Sequence, residues 1–357
     1  MSQVVFVVGA GASREAGGPL MQDFLDIADK LRRNPREVGD ALPAFNAVFE
    51  ALGELDLAHA KSVLDVYNIE SVFGAFEMAR LCRRLGTYTE DQIDSLGPAI
   101  RRLIVKTLER SIKYPVERGT VRAPRPYDAL GSLIAKIPTS GASPVAFITF
   151  NYDLALDYMI YSMRRDVDYF GAPAPLASGA IPLLKLHGSL NWGRCTECNN
   201  VAPWTVAEFF RTRHWGDLTD VSDVRLDLGS QLAHFQHCQK PCQPEAVIVP
   251  PTWNKTEYQA SIVSVWQQAA KHLSEAEHIF VIGYSLPETD QFFRYLYALG
   301  TIGKARVKTF MVVDPSEDSA RRFENLLGPT ARYRFQHWHG LFSQSVVRIQ
   351  SALGLPE

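Results

Sequence analysis

The stretch Val4-Val5-Phe6-Val7-Val8-Gly9-Ala10-Gly11-Ala12-Ser13 joins an apolar run to a glycine-rich turn. Such a run reads as a parallel strand buried on both faces. In an open α/β sheet, ligands bind beyond the carboxyl ends of the strands, where this turn lies. Gly9 and Gly11 let the backbone come close to a pyrophosphate, whose charge suits the start of the following helix. The third glycine of the dinucleotide fingerprint is missing, because its position holds Arg14. By itself the turn also fits a tight loop that binds nothing.

Two further strand ends carry polar sets. Phe147 to Phe150 lead into Asn151-Tyr152-Asp153, and Leu183 to Leu186 lead into His187-Gly188-Ser189. Apolar strand-like runs recur at 3–8, 145–150, 181–186, 246–249, 278–283 and 307–313, the last ending at Asp314. Helical patterns lie between several of them, which predicts a doubly wound, Rossmann-like, mostly parallel sheet. Polar residues at its strand ends can meet on one ligand although they are distant in sequence. Residues 20–33 and 40–114 read as mostly helical, with Ile100, Leu103, Ile104, Thr107 and Leu108 on one face. Pro115, Pro124 and Pro126 punctuate the end of this interruption. A helical insertion over 27–126, folded across the sheet, is the expected arrangement.

The chain of 357 residues is long enough for one enlarged domain or two. A net charge of −2 gives no global pull toward nucleic acid or an anionic membrane. No apolar run reaches the length of a membrane span, and the sequence opens on a strand rather than a secretion signal. Four of the five cysteines form two close pairs, which suits a metal site in a reducing compartment, so a cytoplasmic location is expected. The pairs are Cys195 with Cys198 and Cys238 with Cys242. Two such knuckles can close a tetrahedral Cys₄ zinc site, structural because no position stays open for water. His237, beside Cys238, offers a substitute ligand. Cys82, inside a helical pattern, reads as a buried apolar residue.

Taken together, these motifs resemble the sirtuin family. Gly9-Ala10-Gly11-Ala12-Ser13, Gly17-Gly18-Pro19 and Asp23-Phe24 are similar to its Gly-Ala-Gly-x-Ser, Gly-x-Pro and Asp-Phe elements, with extra residues before Asp23. Asn151-Tyr152-Asp153 is similar to its Asn-x-Asp, and His187-Gly188 to its catalytic His-Gly. Gly283-Tyr284-Ser285-Leu286 stands where the family has Gly-Thr-Ser-Leu. The matches keep the family's order from residue 4 to about residue 315. Thr149-Phe150-Asn151-Tyr152-Asp153 and Asn68-Ile69-Glu70-Ser71-Val72-Phe73 are closest to a bacterial, NAD-consuming branch. The second stretch reads equally well as an ordinary amphipathic helix with Glu70 exposed.

The resemblance implies one NAD-binding domain over 1–357, with a zinc-ribbon module at 191–245. It implies catalytic roles for Asn151 and His187 with Asp153 in support. Gly9, Ala10, Gly11, Ser13, Asp23, Phe24, Gly283, Ser285 and Asp314 would contact the dinucleotide. Zinc would sit on Cys195, Cys198, Cys238 and Cys242. Asn151 also reads as a helix cap, and Asp314, where sirtuins usually place an Asn, as a cap before Pro315. Deacylating sirtuins clamp an acylated peptide with a Val-x-Phe-Gly-Glu stretch. This chain has Val247-Ile248-Val249-Pro250-Pro251-Thr252-Trp253, whose prolines remove backbone donors. The expected activity is therefore NAD hydrolysis to nicotinamide and ADP-ribose, as in NAD-depleting antiviral effectors, under the control of a protein partner or a homo-oligomer. An NAD-dependent protein deacylase and a non-enzymatic NAD or ADP-ribose sensor are the rival expectations.

Overall fold

Gln3–Val8 forms β1, the centre of a seven-stranded sheet. The computed structural model describes residues 3–56, 64–138, 143–170, 179–212, 216–249, 256–288, 290–303 and 305–356, with the backbone alone for 256–261. The other strands are β2 (Val145–Thr149), β3 (Val167–Asp168), β4 (Ile181–Lys185), β5 (Ala276–Ile282), β6 (Thr309–Val313) and β7 (Phe335–Trp338). Their order is β7-β6-β5-β1-β2-β4-β3, and every neighbouring pair is parallel. Phe6 pairs in register with Phe147 on one side and Phe280 on the other, with ring centroids 5.2 and 5.4 Å apart. Helices cover the sheet, which is why residues 4–8 and 145–148 are apolar without alternation.

The order reverses at β1. The chain runs outward through β2 toward one edge, then returns to place β5 on the other side of β1. Such a switch point opens a crevice beyond the strand ends. Here the crevice lies between the turns after β1 and β5.

Between β1 and β2 the chain forms α1 (Phe24–Arg32), α2 (Leu42–Asp56), α3 (Ile69–Cys82), α4 (Glu90–Ser111) and α5 (Arg125–Ala135). A capping box of Thr89 and Gln92 starts α4. Its face of Ile100, Leu103, Ile104, Thr107 and Leu108 is buried, against neighbours that include α1, α2 and α3. Cys82 departs from expectation: it is exposed at the last turn of α3, where Phe76 and Ala79 take the core-facing positions. Beyond β2 come α6 (Ala155–Ser162), α7 (Thr256–Glu275), α8 (Gln291–Gly300), α9 (Glu317–Leu326) and α10 (Phe342–Ala352). Among the described residues, no helix is long and apolar enough to cross a membrane.

The apolar run at 246–249 is not a strand of this sheet. Ile248 makes a single antiparallel bridge to Gly188, flanked by bonds from Ser189 N to Val247 O and from Val249 N to His187 O. The run is stitched to the turn after β4 instead. Pro250, Pro251, Thr252 and Trp253 lie outside the described residues.

Candidate functional site

The turns after β1, β2, β4, β5 and β6 enclose a cavity of about 570 Å³. That volume is within the range of small-molecule sites. Ala10, Gly11, Ser13, Phe24, Asn151, Asp153, His187, Gly283, Ser285 and Asp314 all line it. Gly9 and Asp23 do not. Gly9 lies beneath the floor, where its carbonyl accepts the Asn151 amide at 3.0 Å. Asp23 accepts the Leu20 N–H at 2.7 Å and pairs with Arg14.

The glycine turn has a second reason for its glycines. A Cβ on Gly9 would fall 2.6 Å from the Gly283 carbonyl, and one on Gly11 would fall 2.8 Å from the Gly283 Cα. The β1 and β5 turns therefore touch backbone to backbone across the switch point. The helix opened by the turn is only Ala10–Ser13, followed by a 3-10 turn at Arg14–Ala16. Four residues give little helix dipole, so any anion here relies on N–H groups and side chains. Arg14, which the sequence offers only as a missing glycine, lines the cavity, and Arg322 from α9 lines it too.

Asn151 and Asp153 belong to one buried network. Thr149 donates to the Val8 carbonyl at 2.9 Å and accepts the Asn151 N–H at 3.1 Å, which fixes the chain as it leaves β2. The Asn151 amide nitrogen donates to Gly9 O and, at 3.2 Å, to Ser13 Oγ. Ser13 donates to Asp153 Oδ2 at 2.7 Å, so the Tyr127 hydroxyl, 2.7 Å away, donates to Ser13. Asp153 Oδ1 accepts the Ala155 N–H at 2.9 Å. Hence Asp153 supports the start of α6, and Asn151 caps no helix. Burial pushes the Asp153 carboxyl up, against the opposing pull of Lys185 and its hydrogen bonds. Burial also raises the Tyr127 hydroxyl well above its ordinary range, keeping it a neutral donor.

Beneath this network lies a buried cation. Lys185 at the end of β4 donates to the Asp153 carbonyl at 2.6 Å and pairs with Asp157 at 2.9 Å, with both side chains at most 1% exposed. Tyr169 donates to the other Asp157 oxygen at 2.5 Å. A buried charge pair is tolerated when its remaining bonds are satisfied, and this one fixes the backbone that carries Asp153.

His187 is 3% exposed, with its ring edge-on to Phe150 at 5.1 Å. Gly188 follows in a left-handed conformation, φ +84°, and a Cβ there would fall 2.0 Å from the Val247 carbonyl. Only glycine fits that turn. Asp290, from the segment before α8, places Oδ1 3.4 Å from His187 Nε2. Asp314 accepts the Ser316 N–H at 2.8 Å, while Ser316 itself caps α9. Asp314 thus makes a turn to Ser316 and still lines the cavity.

The helices after β1 form part of the wall. Asn68 caps α3 by accepting the Glu70 N–H at 2.9 Å, and Asn68, Ile69, Glu70 and Phe73 line the cavity with Ile104 and Leu108 of α4. Glu70 acts electrostatically on both Tyr152 and Tyr284.

Outside the cavity, Cys195, Cys198, His237 and Cys238 bring one ligand atom each within 4.8 Å of one another. His237 Nδ1 lies 3.5 Å from Cys198 Sγ and 3.3 Å from Cys238 Sγ. The Glu197 N–H donates to Cys195 Sγ at 3.4 Å, and such backbone bonds, that of Cys198 foremost, lower the Cys195 thiol to about 6. Three sulfurs and one imidazole suit a tetrahedral zinc ion. Cys242 is outside that group of four. It is buried beside Cys195, which it bridges through the backbone, and a Cβ on Gly193 would lie 3.2 Å from its sulfur. In the loop between His237 and Cys242, Cys238 and Gln239 adopt left-handed conformations.

No family model and no curated protein matches the chain. Among solved structures, it is similar to a Sir2 homologue mutant–ADP-ribose complex, at 15% identity and a TM-score of 0.40 over 99% of this chain and 94% of that one. It is similar to a Sir2 homologue–NAD complex at 14% identity, TM-score 0.39, over 98% and 90% of the two chains. Sir2Tm bound to a propionylated peptide gives 13% identity and 0.40 over 99% and 94%.

Proposed function

We propose that the chain is an NAD hydrolase that cleaves the nicotinamide–ribose bond to give nicotinamide and ADP-ribose. One observation carries the reading: Ser13, Asn151, His187, Ser285 and Asp314, from five separate strand ends, line one cavity. In this reading the pyrophosphate lies against the Gly9–Ser13 turn, with Arg14 and Arg322 as counter-charges. Asp314 accepts the adenosine ribose hydroxyls.

The leaving nicotinamide is already cationic in NAD, so its expulsion needs no strong acid. Positive charge develops on the ribose, and positioning and electrostatics supply the acceleration. The Asn151 amide nitrogen is committed to Gly9 and Ser13, so its Oδ1 serves as the acceptor for a ribose hydroxyl or the carboxamide. His187 takes a proton from a ribose hydroxyl or from the attacking water. The C–N bond breaks, the water oxygen bonds to the same ribose carbon, and the released proton passes to solvent through His187. We further propose that zinc on the cysteine–histidine cluster is structural, and that a partner or self-assembly controls NAD depletion in an antiviral setting. Resemblance to NAD-depleting effectors supports that last step.

The cysteine module favours one rival, an NAD-dependent deacylase. Following nicotinamide release from NAD, with and without an acylated peptide, separates the two. Hydrolysis predicts release without peptide and free ADP-ribose. Peptide-dependent release with O-acyl-ADP-ribose as product makes the chain a deacylase. The assay includes oligomeric and partner-bound preparations, since activity is expected to depend on activation.

A further inference from the structure

The segment Gly283-Tyr284-Ser285-Leu286-Pro287 turns back on itself after β5. Leu286 adopts a left-handed conformation, φ +50°, and the Asp290 N–H donates to the Pro287 carbonyl at 3.1 Å. Asp290 thereby arrives at the N-cap position of α8, where a carboxylate ordinarily accepts the helix's own N–H groups. It caps nothing here. Its Oδ2 instead accepts the Tyr284 hydroxyl at 2.9 Å, while Oδ1 faces His187 Nε2 at 3.4 Å. The two side chains are 3% and 4% exposed, so little solvent screens them. Tyr284 stacks on Phe150 at 4.0 Å, and Phe150 holds the His187 ring edge-on, which closes the group into one packed unit.

We propose that Asp290 is the positioning residue for His187: it fixes the neutral ring with its proton on Nε2, presents Nδ1 as the base, and stabilises the imidazolium formed after proton transfer. The inference rests on the proposed NAD-cleaving role of His187, but its physical content is testable without NAD. A carboxylate within a few ångströms favours the charged form of its neighbour. Titratable groups near the ring among the described residues include Tyr152, with its ring centroid 6.3 Å away, and Tyr284, which donates to Asp290; Glu70 acts on both tyrosines. Arg101 acts on Tyr152, and Arg294 on Tyr284. Only Asp290 reaches ion-pair distance of the imidazole among the described residues.

The test is nitrogen NMR of His187 in the ligand-free full chain, wild type against Asp290→Asn. In the wild type, neutral His187 should carry its proton on Nε2. In Asp290→Asn the titration midpoint should fall by about one pH unit, following the loss of an adjacent opposite charge. Under activating conditions, kcat should fall roughly 10²-fold with KM little changed, the lower end of what acid–base catalysis contributes. The corresponding limb of the pH–rate profile should move with the NMR midpoint. A wild-type ring protonated on Nδ1 overturns the proposal, and that result needs no variant to fold. An unchanged midpoint in a folded Asp290→Asn also overturns it. If the midpoint moves but the activated wild type cleaves no NAD, the positioning stands and the hydrolase reading fails.

Discussion

In β1 the residues Val4 to Val8 are each at most 3% exposed, whereas the cysteine module has strands of two or three residues: Trp192–Arg194, Val201–Pro203, Gln236–His237 and Lys240–Pro241. The sheet holds the strand ends in place by apolar burial, and every turn around the cavity inherits that rigidity. The module has few backbone ladders and a small core around Trp192, Trp204 and Leu232. Such a fold needs a further cross-link. It also leans on the helices beside it. Asp223–Val224 pairs with Tyr114–Glu117, and the buried Glu109 of α4 accepts the Ser230 N–H at 2.8 Å and its hydroxyl. One region is stabilised from within, while the other leans on its neighbours and carries a cluster that could hold a metal ion.

Metal removal should break the comparison most strongly. Elemental analysis should find about one zinc per chain, and chelation or Cys198→Ser should release it and unfold the module, since structural zinc supplies on the order of 10 kcal/mol in small domains. His237→Ala against Cys242→Ser sharpens the point. If the four grouped residues are the ligands, the histidine change loses metal and the Cys242 change retains it. A stable, metal-free wild type would remove the zinc assignment altogether.

The sheet side should show the opposite behaviour, with function lost and fold kept. His187→Ala should lower NAD cleavage by roughly 10²–10⁴-fold. Asn151→Ala should reduce it strongly as well, and both variants should melt like the wild type with zinc bound. Equal rates for the activated wild type and His187→Ala would sink the catalytic assignment.

The junction of the two regions offers a pH signature. Burial raises the Glu109 carboxyl to about 7, outweighing its bonds from Ser230. The folded state therefore keeps a proton that the unfolded state loses above its ordinary carboxylate range. Stability should fall as pH rises from about 4.5 to about 7, by on the order of 3 kcal/mol. Glu109→Gln should flatten that slope in denaturant titrations. A slope that survives the change would assign it to another group.

The smallest expected effect is in substrate choice. If Asp314 accepts the adenosine ribose hydroxyls, a 2′-phosphate meets a like charge, so NAD should be preferred over NADP and Asp314→Asn should narrow the ratio. Equal use of both by the wild type would take Asp314 out of the ribose site.

Much of the sheet is legible in the sequence. The runs at 3–8, 145–150 and 181–186 became neighbouring parallel strands, because a strand buried on both faces must be apolar along its length. The edge strand Phe335–Trp338 was not, since its half-exposed residues lack such a run. The polar sets after the strands fell on one cavity because carboxyl ends of parallel strands share one side of a sheet. Glu70 reads equally well as exposed on an ordinary amphipathic helix; in the structure it is half-buried at the cavity wall.

Local chemistry thus determined the doubly wound sheet, the glycine turn, Asn151, His187 and the cysteine pairs, since each is written in contiguous residues. Tertiary structure alone brought Tyr127 to Ser13, Lys185 to the Asp153 carbonyl, Asp290 to His187, and His237 rather than Cys242 into the sulfur cluster. The Asp290 contact follows a chain reversal at the left-handed Leu286. A single backbone dihedral there redirects every later residue, and no periodicity in the sequence encodes where it will point.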